Sequence, residues 1–244
     1  MKRSFFEAPV EHVAPRLLGK ILACRTSSGW LAGRIVELEA YLGPHNETAD
    51  PAAHSHRGPT PRNQVLFGAA GHAYVYSIYG LYYCMNITCE KTSQAGSVLL
   101  RALEPVAGLE QMARNRGLPP SLFAAAGKEG GANKSACQLT GGPSRLCQAL
   151  AITRPAHNGL DLLDPDSPLQ VWDDGVRVRR VLVTRRIGIR HAAELPLRFA
   201  IPGHPCVSGA KSLTGKSIFL RAETVSRIKP STSRSTSRKQ FQSR

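Results

Sequence analysis

The sequence predicts a mixed α and β fold in one domain, with a basic C-terminal extension. Three observations carry that expectation. Several segments alternate apolar and polar residues at the two-residue period of a strand, while shorter ones repeat at helical spacing. No segment repeats internally, and 244 residues are enough for a sizeable core in one domain or two small ones. From Gly209 onward apolar periodicity is lost and Ser, Thr, Lys and Arg take over. The expected organisation is a folded domain over 1–208 and a disordered tail over 209–244.

Helical spacing of apolar residues predicts a helix over Val10–Leu18. Alternation then predicts strands near Lys20–Arg25 and Trp30–Leu42. Residues 43–62 are rich in Pro, His, Gly and Asn and read as a long irregular segment, a feature often functional in compact domains. Two strands, His72–Tyr79 and Leu81–Cys89, join at Tyr79-Gly80 as a hairpin. A third, Ser97–Leu103, is expected to end at Glu104-Pro105. Helices follow at Gly108–Arg116 and Pro143–Leu150, the second offering N–H groups to an anion. Further strands are expected at Leu169–Trp172, Val176–Val183 and Leu197–Ile201.

The formal net charge is +15 and the isoelectric point about 10.1. That balance suits a polyanion partner, because Lys and Arg that neutralise phosphates release condensed counterions. An anionic membrane surface is the competing partner. The tail holds nine Lys or Arg against one acid, Glu223, so about half of the excess charge stays on 1–208. The tail reads as a non-specific nucleic-acid tether or as a solubilising extension. No apolar run reaches a spanning length and the N-terminus has no signal-type apolar core. A soluble intracellular protein is expected, cytoplasmic or nucleoid-associated, with no membrane association. None of the six cysteines forms a Cys-x-x-Cys pair. They read as buried free thiols in a reducing compartment, and a metal site is not expected.

Two segments carry candidate chemistry. In Arg34–Gly43, alternation puts Val36, Leu38, Ala40 and Leu42 on one apolar face and Ile35, Glu37, Glu39 and Tyr41 on the other. Two carboxylates two residues apart on one face stand roughly 7 Å apart at the root. Partly desolvated, such a pair pushes at least one pKa upward and supplies a general base. A solvated edge strand with ordinary surface acids is the alternative. In the hairpin, five of the six tyrosines fall within Tyr74–Tyr83, with Tyr74, Tyr76 and Ile78 on one face and Tyr79 beside the turn glycine. Interleaved aromatics on a basic surface suit base stacking and intercalation. Packing of the tyrosines into the core is the other reading.

A series of blocks in this chain resembles the alkyladenine-type 3-methyladenine DNA glycosylases. The blocks are Gly33–Pro44, Ala53-His54-Ser55, Thr60-Pro61-Arg62-Asn63, Ala73–Gly80, Cys84–Ile87, Val98–Pro105, Gly142–Ala151, Arg186-Ile187-Gly188-Ile189 and Leu197-Arg198-Phe199. They run in family order from about Phe5 to Gly209. The resemblance implies a single domain built on a curved antiparallel sheet with surrounding helices and a protruding hairpin. It implies a monofunctional glycosylase of base excision repair acting on double-stranded DNA. By that resemblance damaged purines (3-methyladenine and 7-methylguanine, with hypoxanthine a further candidate) would be flipped out and released, leaving an abasic site. Glu39 would activate the water that attacks C1′, with Arg101 and the backbone carbonyl of Ile187 holding it. Tyr41, His54 and Tyr76 would wall the extruded base, Asn86 would form the pocket floor that opposes the exocyclic amine of an unmodified guanine, and Tyr79 would be the minor-groove wedge. The resemblance implies no metal and no organic cofactor, and a damage scanner suits a monomer.

The chemistry agrees with those roles. Flipping is least costly for damaged or poorly paired bases, so extrusion already selects. A methylated purine cation is favoured by electron-rich rings, by roughly 0.5–2 kcal/mol per contact. It is also a good leaving group, and the oxocarbenium-like transition state gains from a nearby carboxylate. Arg57, Arg62, Arg145 and Arg198 are candidate phosphate contacts. Three features depart from the family pattern: Leu38 between the glutamates in place of Thr, an insertion at His45–Thr48, and Cys206 where an aromatic residue is common. Competing classes fit less of the chain. A zinc deaminase lacks its last ligand, since position 209 is Gly. A sugar hydrolase could use Glu37 and Glu39 but has little use for so basic a surface. A non-catalytic nucleic-acid-binding protein explains the charge and hairpin without the paired carboxylates.

Overall fold

A strand of thirteen residues, Gly29–Tyr41, is the axis of the computed structural model, which describes residues 1–123, 134–208 and 215–219. The strands are β1 (Ile21–Thr26), β2 (Gly29–Tyr41), β3 (Ala73–Ile78), β4 (Tyr82–Cys89), β5 (Gly96–Ala107), β6 (Leu169–Trp172), β7 (Arg180–Thr184), β8 (Arg198–Ala200) and β9 (Lys216–Phe219). They form one antiparallel sheet in the order β3-β4-β5-β2-β8-β7-β9, with β1 joining β2 to β6. β2 pairs with β5 along most of its length. Its other edge is shared, β1 taking the first half and β8 the second. The helices are α1 (Arg3–Phe6), α2 (Val10–Leu17), α3 (Leu109–Asn115), α4 (Cys137–Thr140), α5 (Pro143–Ala149) and α6 (Arg154–His157).

One face of the sheet is the core. Leu38, Ala40 and Leu42 of β2 and its end pack with Val75, Met85, Ile87, Val98 and Leu100 from neighbouring strands. α2 buries Val10, Val13, Ala14 and Leu17, an i, i+3, i+4, i+7 stripe, into the same cluster. Each such aliphatic side chain contributes roughly 1.5–3 kcal/mol by leaving water. Gly43 ends β2 where the chain passes the backbone of Gln94; a Cβ there would lie 1.7 Å from the Gln94 carbonyl oxygen.

Several expectations are corrected. The alternation assigned Val36 to the core face and Ile35 to the other. Ile35 lies in the main core, and Val36 packs in a separate cluster with Ala102, Ala200 and Cys206. The β2–β5 register shifts on both sides of Glu37, a bulge that inverts the parity of residues before it. β5 continues through Pro105 to Ala107, with a second shift beside the proline. β7 begins at Arg180 rather than Val176, because Asp173 and Asp174 bind Lys20, Arg177 and Arg34 and hold 173–177 as a turn. Cys137 and Cys206 form a disulfide, with Cα atoms 4.7 Å apart, so free thiols are found only at Cys24, Cys84, Cys89 and Cys147. α4 and the 204–208 loop meet through the tertiary fold, which spacing along the chain does not reveal. Within the expected tail, Lys216–Phe219 is an edge strand on β7. The rest of the disorder expected for 209–244 lies outside the described residues.

Candidate active site

The second face of the sheet carries the polar and aromatic side chains. Directly opposed residues in a ladder share a face. Glu39 opposes Leu99, Leu99 opposes Asn86, and Asn86 opposes Tyr74, so one row crosses β2, β5, β4 and β3. Tyr76 follows Tyr74 by two residues and shares the face. Sheet register therefore brings together the base candidate, the pocket-floor candidate and the tyrosines.

Glu39 is fully buried, yet its partners are polar. Oε1 accepts the Ile187 N–H at 2.8 Å and faces Arg101 Nη1 at 3.3 Å. Oε2 accepts the Tyr41 hydroxyl at 3.0 Å. Burial raises the Glu39 pKa above the usual carboxylate range; Arg101, the Ile187 N–H and Tyr41 pull against it. The Glu37 charge adds only a small upward push, so desolvation rather than like-charge repulsion is the main cause. A solvated edge strand is excluded, since both glutamates are fully buried.

Glu37 holds the frame around that carboxylate. It accepts Arg101 Nε at 3.0 Å, Arg198 Nε at 2.8 Å and the Ser208 N–H at 2.7 Å. Arg101 thus bridges both glutamates, and the β2–β5 register shifts lie in the ladder beside it. Burial opposes the Arg101 charge, but Glu39 and Glu37 outweigh it and hold its pKa above the ordinary value. Arg198 is 3% exposed and bound to Glu37, which removes it from the phosphate contacts expected from sequence. Arg57, Arg62 and Arg145 are exposed.

The aromatic residues form two sets. His54, Tyr74 and Tyr76 touch one another. The His54 ring meets Tyr76 edge-on at 4.6 Å, Tyr74 stacks on Tyr76 at 5.3 Å, and His54 Nδ1 lies 3.0 Å from the Tyr74 hydroxyl. Desolvation and the Arg62 charge lower the His54 pKa, which favours the neutral ring. Asn63 clamps the His54 loop, donating Nδ2 to the His54 carbonyl at 2.7 Å and accepting the Thr60 N–H at 2.6 Å. A cavity of about 280 Å³ borders this cluster and is lined by Pro51, His54, Arg57, Arg62 and Tyr74. Tyr41 belongs to the second set, with the Arg186 guanidinium 4.6 Å from its ring centre. Arg186 is buried and pairs in bidentate fashion with Asp50 at 2.7 and 2.8 Å. Burial, then Glu39, raise the Tyr41 pKa far above the ordinary phenol value.

Asn86 is 5% exposed; its Nδ2 donates to Ser97 Oγ at 2.9 Å, while its Oδ1 is buried with no partner among the described residues. Tyr79 sits far from this row, at the hairpin tip. Ile78 O accepts the Leu81 N–H across Tyr79 and Gly80, both with positive φ. Tyr79 is 91% exposed. A bulky side chain in the left-handed region is strained, and such strain is kept where a turn must aim a side chain outward.

Of the residues singled out by sequence, Glu39, Tyr41, Arg101 and Ile187 share direct contacts, and Asn86 lies in the Glu39 row. Ile187 acts here through its N–H. Sequence reasoning gave no role to Asp50 or Ser208, and left Tyr74 open between base stacking and core packing. Asp50 stood in plain view, since Asp50-Pro51 precedes the quoted His54 block. For Ser208 no local signal exists.

The comparisons with known proteins give the family of the chain. Residues 4–205 match the model of the family described as "Methylpurine-DNA glycosylase (MPG)". A Koribacter versatilis protein named "Putative 3-methyladenine DNA glycosylase" is 47% identical over 213 residues, covering 87% of this chain and 95% of its own. Proteins of the same name from Burkholderia orbicola and Methanoculleus marisnigri are each 44% identical over 209 residues, covering 85% and 84% of this chain and 90% and 96% of their own. Among the described residues no helix is long and apolar enough to cross a membrane. The chain belongs to the methylpurine-DNA glycosylase family, hydrolases of N-glycosyl bonds that serve DNA repair.

Proposed function

We propose that this chain removes alkylated purines from duplex DNA by base flipping and hydrolysis through one activated water. The observation that carries this reading is the setting of Glu39. It is a fully buried carboxylate with a raised pKa, held by Arg101, Tyr41 and the Ile187 N–H. A raised pKa makes a stronger base, and the fixed partners keep it aimed.

In the reaction, water oxygen bonds to C1′ as the C1′–N9 bond breaks. The water proton passes to Glu39, and the bonding pair leaves with the base. A purine methylated at N3 or N7 starts as a cation and departs neutral, so the step needs no acid. The Glu39 carboxylate also stabilises the oxocarbenium-like sugar. Arg101 and the carbonyl of Ile187 help hold the water. Tyr41, His54 and Tyr76 wall the base, and ring contacts favour a cation by roughly 0.5–2 kcal/mol each. The buried Oδ1 of Asn86, without a partner among the described residues, supports a polar pocket floor. Tyr79, projecting from a strained turn, fills the gap left by the flipped nucleotide. The protein works as a monomer, without metal or organic cofactor.

The test is to incubate the protein, with chelator present, with duplexes carrying a single 3-methyladenine, 7-methylguanine or hypoxanthine, and to identify the released base. Release of free purine from wild type, lost in Glu39→Gln with duplex binding retained, is the expected result. Equal release by that variant overturns the mechanism.

A further inference from the structure

Behind Tyr41 lies a buried ion pair that the proposed reaction does not use. The Asp50 and Arg186 side chains are both fully buried. Asp50 accepts two hydrogen bonds from the guanidinium, 2.7 and 2.8 Å, and a third from the Leu42 N–H at 3.0 Å. Arg186 also donates to the carbonyls of Ala40 and Ala192. Its guanidinium stands 4.6 Å from the Tyr41 ring centre. One face of that ring is thus already committed to a cation. With Tyr41 as a wall of the base pocket, a methylated purine presents a second cation to the same ring.

Two like charges either side of one ring repel, and in a desolvated site the repulsion is poorly screened. Among the described residues Asp50 is the only charged side chain hydrogen-bonded to Arg186, and its bidentate contact makes the pair neutral overall. We infer that Asp50 is a specificity-determining residue: by neutralising Arg186 behind Tyr41, it lets the pocket accept cationic bases rather than only neutral ones. Arg186 in turn orients the Tyr41 ring, whose hydroxyl reaches Glu39. The inference rests on Tyr41 contacting the flipped base, as in the proposed function.

Opposite signs make the test decisive. Asp50→Asn leaves the guanidinium uncompensated and lowers excision of 7-methylguanine, a cation, relative to hypoxanthine, which is neutral. The ratio should fall on the order of tenfold at an effective dielectric near 20. Arg186→Met leaves the carboxylate uncompensated and raises the ratio several-fold. The double variant removes both charges, spares the fold the penalty of a lone buried charge, and returns the ratio to within about twofold of wild type. A merely structural pair would slow both substrates alike and leave the ratio unmoved in all three variants, and that result overturns the inference. Should wild type release neither base, the proposed function fails, and the ratio is read from duplex binding. Binding ratios that move with opposite signs then still support the role of Asp50, and unmoved ratios overturn it.

Discussion

Ser208 donates both its backbone N–H and its hydroxyl to the carboxylate of Glu37, across 171 residues of sequence. Glu37 binds Arg101, and Arg101 faces Glu39. Ser208 thus helps fix the geometry of the proposed base. Ser208→Ala removes one hydrogen bond to a buried charge, a loss of about 1.5–3 kcal/mol. Denaturant unfolding should record it, and base release should slow. Unchanged stability would mean the hydroxyl does not hold Glu37.

The Glu39 pKa sets the acid limb of activity. Burial raises it, so below that pKa the carboxyl is protonated and no base is available. Release should therefore rise with pH through a value above about 4.3, the ordinary figure for glutamate. Tyr41→Phe removes a hydrogen bond that favours the ionised form. Its limb should move to still higher pH. A single-turnover pH profile of the two proteins checks the direction, and a downward move contradicts the assignment.

Tyr79→Ser leaves the charge and the core untouched, since the side chain is 91% exposed. Flipping should weaken, read as loss of 2-aminopurine fluorescence beside the lesion. The salt-dependent, non-specific component of binding should persist. Equal loss of both would argue against a wedge.

The disulfide closes a loop of 69 residues that spans α5, α6 and strands β6 to β8. Chain-entropy estimates for a loop of that size give about 4 kcal/mol. Cys137→Ser, or reductant on wild type, should lower thermal stability by a clear margin. The four remaining cysteines are buried, and burial raises the thiol pKa of each, Cys24 to about 11. Identical melting with and without reductant would contradict a stabilising bond.

Much of the fold was legible because it is local. The alternation of Ala73–Ile78 and Tyr82–Cys89 specifies a hairpin, and Tyr79-Gly80 specifies where it turns. The α2 stripe specifies a helix that lies on a core. Candidate site residues were named through ordered blocks of resemblance, and of these Glu39, Tyr41, Arg101 and Ile187 lie in mutual contact.

What failed was non-local or turned on one irregular residue. A bulge at the register shifts beside Glu37 swapped Ile35 and Val36 between faces, since one extra residue reverses a period of two. Arg198, read as a phosphate contact, turned inward because β8 lies beside β2, which sets it next to a buried carboxylate needing a partner.

By itself, then, the sequence determined the outlines of strands β1 to β8 and of helices α2, α3 and α5, how basic the chain is, and which residue types stand ready for chemistry. Only the tertiary structure decided that Cys137 meets Cys206, that Ser208 reaches Glu37 and that Asp50 reaches Arg186. Periodicity records what each residue prefers among its near neighbours. Sheet order and loop closure choose partners far away in the chain, and that choice depends on the burial of the whole domain at once.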